Sequence, residues 1–178
     1  MSGVCYGWSD VETSLTPPQA ADALRHWPER ETLKGIWSSP SARTLTLAQE
    51  LATRWRLPLR IDSRLRELHF GRWEGRRYRD LEQSEGPAFS AWMSDWQHRA
   101  PPGGERLADL IARVGAWASR RSGDAPQLLI AHAGVVRALR VLHGGLTAVQ
   151  AFELEVPHLR PEPFDLAGGQ ADNLVEPL

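Results

Sequence analysis

The sequence predicts an α/β fold: three layers, with a mostly parallel sheet flanked by helices. Two observations carry this. Short apolar runs alternate with amphipathic helical segments along the chain, the pattern of strands connected through helices. The chain holds 178 residues without a repeat or a low-complexity linker, a length that suits one domain with a sizeable core.

The elements are expected in this order. Residues 17–27 read as a helix, because Ala20, Ala21, Ala23, Leu24 and Trp27 fall near one face and Pro28 ends it. Residues 33–38 form an apolar run that stops at Ser38-Ser39-Pro40, so a buried strand and a loop are expected. Residues 41–55 give the clearest helix, with Leu45, Ala48, Leu51, Ala52 and Trp55 at helical spacing. Leu59-Arg60-Ile61 reads as a short strand. Residues 65–75 read as a polar loop and 79–97 as a helix broken at Gly86-Pro87. Pro101-Pro102-Gly103-Gly104 is a turn. A helix over 105–121 follows, through Leu107, Leu110, Ile111, Val114 and Trp117. Residues 127–131 are a buried strand running into His132, and a helix is expected over 135–142. Residues 151–156 read as a late strand, and the tail after Pro161 as loop or weak edge strand.

Composition excludes several classes. The net charge is −1, which gives no support for a nucleic-acid partner or an anionic membrane surface. No apolar run approaches the ~18 residues of a membrane span. No basic-then-apolar leader is visible, and a single cysteine fits a reducing compartment, so a cytoplasmic protein is expected. Lys34 is the only lysine beside many arginines. Codon bias explains that choice, although arginine also binds phosphate and carboxylate bidentately.

Four constellations carry chemistry. An apolar strand ends in His132-Ala133-Gly134 and a helix follows. Ligands sit at the carboxyl ends of strands in open α/β sheets, and a helix N-terminus offers N–H groups to an anion. The alternative is a histidine satisfying nearby backbone. Ser38-Ser39-Pro40-Ser41-Ala42-Arg43 places an arginine in the first turn of a helix, against the dipole, as if an anion neutralised it; a solvated arginine is the commoner case. Residues 66–75 pack carboxylates, arginines, aromatics and two glycines into one loop, a composition typical of functional loops or of a charged surface turn. Pro102-Gly103-Gly104-Glu105 reads as a turn with an acidic helix start.

In this order, the four resemble the histidine-phosphatase (phosphoglycerate-mutase-like) superfamily. Ser39-Pro40-Ser41-Ala42-Arg43 resembles its Ser-Pro-x-x-Arg. Leu65-Arg66-Glu67-Leu68 with residues 70–75 resembles its acidic loop, Gly104-Glu105 its Gly-Glu turn, and His132 with Gly134-Val135 its second histidine motif. Residues 91–98 and Val4-Cys5-Tyr6-Gly7 are similar to the α-ribazole phosphatase branch of cobalamin synthesis.

The resemblance implies a phosphomonoester hydrolase that needs no metal and acts on a small phosphorylated metabolite, as a monomer or homodimer. Arg43 and a protonated His132 would clamp the phosphoryl oxygens. Glu67 would serve as general acid and then base. Tyr6 and Ala133 would touch substrate, and Glu105 would orient the loop. A broad phosphatase, a mutase or a non-catalytic phosphate-binding protein of the same fold are the alternatives.

The sequence departs from the family in one respect. The family's Arg-His-Gly, whose histidine is the nucleophile, does not occur. The stretch like Val4 to Gly7 lies shortly after that motif in relatives, so a chain beginning downstream of the first strand and nucleophile loop is expected. Cys5 is no substitute, because a thiol phosphatase needs an arginine six residues on, where Val11 stands.

Overall fold

The computed structural model of the chain describes residues 3–121 and 125–167. At its centre lies a three-stranded parallel sheet. Strand β1 (Ile36–Ser38) is in the middle, with β2 (Leu59–Ile61) and β3 (Leu128–Ile130) on either side.

Successive strand residues point to opposite faces, and the apolar side chains sort accordingly. Ile36, Leu59, Leu128 and Ile130 pack with helices α1 (Pro17–Ala23) and α2 (Ala42–Trp55). Trp37 and Leu129 pack on the other face, against α5 (Leu107–Ala118) and α6 (Ala133–His143). The result is three layers, as the alternation of elements predicts.

A second, smaller core lies to one side. There α3 (Tyr78–Ser84) and α4 (Gly86–Ser94) enclose Cys5, Trp73, Leu81 and Phe89. The expected break at Gly86-Pro87 separates the two helices. Pro87 falls in the first turn of α4, where its missing N–H costs no helical hydrogen bond. Trp92 is a packing residue here, its ring 5.6 Å from Trp73 and 6.0 Å from Phe70.

Several boundaries differ from expectation. Helix α1 stops at Ala23, short of the expected Trp27; residues 24–26 form a turn, Trp27 before Pro28 is extended, and Pro28–Thr32 form a 3-10 turn. Helix α5 begins only at Leu107, since Glu105 is drawn into the neighbouring loop through its N–H to the carbonyl of His69. Strand β3, expected to be buried, is half-buried along its length, and among the described residues only β1 pairs with it.

The late strand expected over 151–156 is absent. Helix α7 (Ala148–Glu153) occupies its start, launched by a capping box between Thr147 and Gln150. The capping signal outweighs the apolar alternation of Ala151 to Val156. The tail beyond residue 167 lies outside the described residues. No helix among the described residues is long and apolar enough to cross a membrane.

Candidate active site

The parallel register of β1 and β3 brings two motifs together. Ser38 pairs with Ile130, so the chain leaves both strands side by side. Ser39 donates its N–H to the Ile130 carbonyl at 3.1 Å. Its Oγ lies 2.9 Å from Nε2 of His132, the residue that caps the start of α6. Ser39 also accepts the N–H of Ser41, so one buried hydroxyl joins the turn before α2 to the turn before α6.

His132 is 7% exposed. Burial pushes its imidazole down to about 3, and the guanidinium groups of Arg43, Arg113 and Arg66 add to the effect. The ring is therefore neutral. The protonated form that the resemblance implies requires a bound anion to offset those three charges.

Glu67 meets the same helix start. Its Oε2 accepts the N–H of Gly134 at 3.1 Å, and Oε1 accepts that of Leu68 at 2.8 Å. The carboxylate lies so close that a β-carbon at position 134 would stand 2.1 Å from Oε1, which explains the glycine.

The Glu67 loop is pinned from below by a residue that sequence reasoning missed. Arg113, from α5, donates to the carbonyls of Arg64, Arg66 and Glu67 at 2.6, 2.7 and 3.0 Å. It also forks onto the Glu105 carboxylate at 2.7 and 2.9 Å. Glu105 in turn accepts the N–H of His69 at 3.3 Å, which ties it to the loop.

Arg43 is half-buried in the first turn of α2. It donates to the carbonyls of Ser9 at 2.8 Å and Gly7 at 2.6 Å, and among the described residues three of its five N–H donors have no acceptor. Burial lowers its pKa, opposed chiefly by the charges of Glu67 and Asp10. Asp10 also accepts the N–H of Ala42 at the α2 N-terminus, where a carboxylate suits the helix dipole.

The segment that Arg43 grips is held on its other side by Glu74, also unrecognised in the sequence. Glu74 accepts the N–H groups of Gly7, Trp8, Ser9 and Phe70 and the hydroxyl of Ser9. Burial would raise its carboxyl, but these donors outweigh it and hold it below the ordinary carboxylate value.

Tyr6 is exposed, its ring 5.8 Å from the Arg43 guanidinium, and Ala133 opens α6 beside His132. Cys5 is buried, and burial, with the Glu74 charge, pushes its thiol up to about 12, far from a reactive thiolate.

The arrangement thus gathers a neutral imidazole, a partly engaged guanidinium, a carboxylate and the N-terminus of an eleven-residue helix at the carboxyl ends of two strands. Such a group can hold a tetrahedral oxyanion and deliver a proton to one of its oxygens.

The profile of the histidine phosphatase superfamily, branch 1, matches residues 1–166. The chain is 34% identical over 147 residues to a glucosyl-3-phosphoglycerate phosphatase of Mycobacterium tuberculosis, covering 75% of this chain and 64% of that protein. It is 38% identical over 86 residues to the adenosylcobalamin/alpha-ribazole phosphatase of Escherichia coli, covering 47% and 42%. The chain therefore spans less than two thirds of the length of these curated relatives. Among solved structures, the alpha-ribazole phosphatase of Shigella flexneri superposes with a TM-score of 0.74 at 28% identity, over 88% of this chain and 79% of that one. A mycobacterial glucosyl-3-phosphoglycerate phosphatase gives 0.70 at 30% identity, over 86% and 78%.

Proposed function

Because the chain belongs to the histidine phosphatase superfamily, branch 1, we propose that it is a phosphomonoester hydrolase whose substrate phosphoryl group sits between Arg43, His132 and Glu67. The carrying observation is the convergence of the two strand ends, where Ser39 holds His132 at 2.9 Å and Gly134 holds Glu67 at 3.1 Å.

Phosphoryl transfer depends mainly on positioning and on stabilising charge at the equatorial oxygens. The unengaged donors of Arg43 and the imidazole of His132, protonated as the anion arrives, supply that charge. Glu67 must start protonated: it gives that proton to the leaving oxygen, and the carboxylate so formed later takes one from water. In the chemistry of this family a histidine carries the phosphoryl group between the two steps; no Arg-His-Gly is present in these 178 residues. Phosphate binding is therefore the first property to measure, and turnover the second.

The first substrate reading is α-ribazole 5′-phosphate, a step of cobalamin synthesis, supported by the similarity to the alpha-ribazole phosphatases of E. coli and S. flexneri. The second is a phosphorylated sugar acid. It is supported by the longer match, 147 residues against 86, to the M. tuberculosis phosphatase.

The test is metal-free hydrolysis of α-ribazole 5′-phosphate, glucosyl-3-phosphoglycerate and phenyl phosphate, by the parent and by His132→Ala. Turnover lost in the variant supports the hydrolase. Phosphate binding without turnover favours a non-catalytic phosphate-binding protein, and neither one sinks the assignment of the site.

A further inference from the structure

Trp8 stands apart from the other tryptophans, which are buried or half-buried; it is 44% exposed. Its indole is nonetheless fixed on three sides. Nε1 donates to the carbonyl of Glu67 at 2.9 Å. The ring lies 4.5 Å from that of His69, and the Arg66 guanidinium sits over it, 4.9 Å from the centroid. All three contacts fall on one stretch of the acidic loop, residues 66, 67 and 69.

The main chain of Trp8 belongs to the opposite side of the site. Its neighbours Gly7 and Ser9 supply the two carbonyls that Arg43 grips, at 2.6 and 2.8 Å. Its own N–H donates to Glu74 at 2.9 Å. One residue therefore spans from the Arg43 segment to Glu67. The Glu67 carbonyl also accepts from Arg113 of α5, at 3.0 Å. A carbonyl oxygen has two lone pairs, so these two donors saturate it and hold the Glu67 main chain from both sides.

We propose that Trp8 is a positioning residue of the reaction: its indole N–H sets the Glu67 carboxyl at working distance from the phosphoryl group on Arg43. This rests on the hydrolase reading given above. A general acid must meet the leaving oxygen while the clamp holds the equatorial ones, and a displacement of ~1 Å costs about 10²-fold. The Glu67 carboxylate accepts the N–H groups of Leu68 and Gly134, at 2.8 and 3.1 Å. Leu68 moves with the loop, whereas Gly134 is fixed on α6. The placing of the loop by Trp8 thus decides whether the bond to Gly134 survives.

That bond gives a direct reading. Gly134 lies in the first turn of α6, where an N–H has no acceptor within the helix, so its protection from solvent exchange reports the position of the Glu67 carboxylate. Val136, on the same helix, donates to the His132 carbonyl and serves as the reference. The experiment is amide hydrogen exchange by NMR on the parent and on Trp8→Phe, which keeps a ring between Arg66 and His69 and removes the N–H. Exchange at Gly134 is expected to quicken about tenfold, the worth of one hydrogen bond, with Val136 within about twofold.

Hydrolysis supplies the second reading. The kcat/KM of Trp8→Phe, which reports the step that expels the alcohol, should fall about tenfold more for glycerol 3-phosphate than for 4-nitrophenyl phosphate. The leaving oxygen of the first needs a proton and that of the second does not. Equal quickening at both amides would reveal a loosened fold, and unchanged exchange at Gly134 an idle contact. Either overturns the proposal, as does an equal fall on both esters. A parent that hydrolyses neither ester overturns the hydrolase reading instead, and the two amides still decide whether Trp8 holds Glu67 in place.

Discussion

The Glu67 carboxylate rests against the α-carbon of Gly134, with Oε2 accepting the Gly134 N–H at 3.1 Å. A methyl group there would meet Oε1 at 2.1 Å and a Leu110 methyl at 3.1 Å. Glu67 can swing away, so Gly134→Ala is expected to change stability by less than ~1 kcal/mol. In the hydrolysis proposed above, with Glu67 as the acid, the rate for a phosphate ester with an alkyl leaving group is expected to fall about 10²-fold or more. Urea denaturation beside steady-state rates separates the two effects, and an unchanged rate would show that this contact does not position the acid.

Arg113 is the structural pin of the same loop. Removing it takes the guanidinium from the Glu105 carboxylate and one donor from each of three carbonyls in a partly buried place. Arg113→Met should cost about 3–5 kcal/mol, as for one partner of a buried pair. Glu105→Gln keeps an acceptor and should cost less. A loss under ~1 kcal/mol for Arg113→Met would mean that water replaces its bonds.

Glu74 ties the segment from Gly7 to Ser9 to the acidic loop. Its folded pKa lies below its unfolded value of ~4.3, so its stabilisation is complete above that pH and is lost as pH falls through the folded pKa. Acid unfolding followed by tryptophan fluorescence should be shallower in Glu74→Gln, and that variant should be less stable at neutral pH. Identical acid profiles would show that Glu74 contributes nothing there.

His132 acts in the same direction, because its folded pKa is also lowered. It stays neutral in the folded state down to about 3, whereas the unfolded ring titrates near ~6.5. The unfolded chain therefore binds a proton that the folded chain does not, and stability declines as pH falls below ~6.5. His132→Gln should flatten that decline. Sulfate, which stays dianionic, should bind more tightly as pH falls below neutral, because the anion favours the protonated ring; pH-independent sulfate binding would contradict a role for this imidazole.

Much of this was legible in local pattern. The period of Leu45, Ala48 and Leu51 marked α2, the Gly86-Pro87 pair marked the gap between α3 and α4, and strand ends followed by Arg43 and His132 marked the site. What the sequence concealed is long-range. Arg113 reads as one more charged residue of an amphipathic helix until the fold brings the carbonyls of a loop almost fifty residues earlier beneath it. Glu74 reads as part of a polar loop until it meets N–H groups more than sixty positions away. The difference over 151–156 is local: the Thr147–Gln150 capping box starts a helix, which overrides the apolar alternation that follows.

The central claim is that Arg43 and His132 share one phosphate. Its most direct test is isothermal titration of inorganic phosphate, without metal at neutral pH, into the parent, Arg43→Ala and His132→Ala. The parent is expected to show one site, and each variant a loss of about tenfold or more, the worth of a charge-assisted hydrogen bond. No binding by the parent, or equal binding by all three proteins, would contradict it.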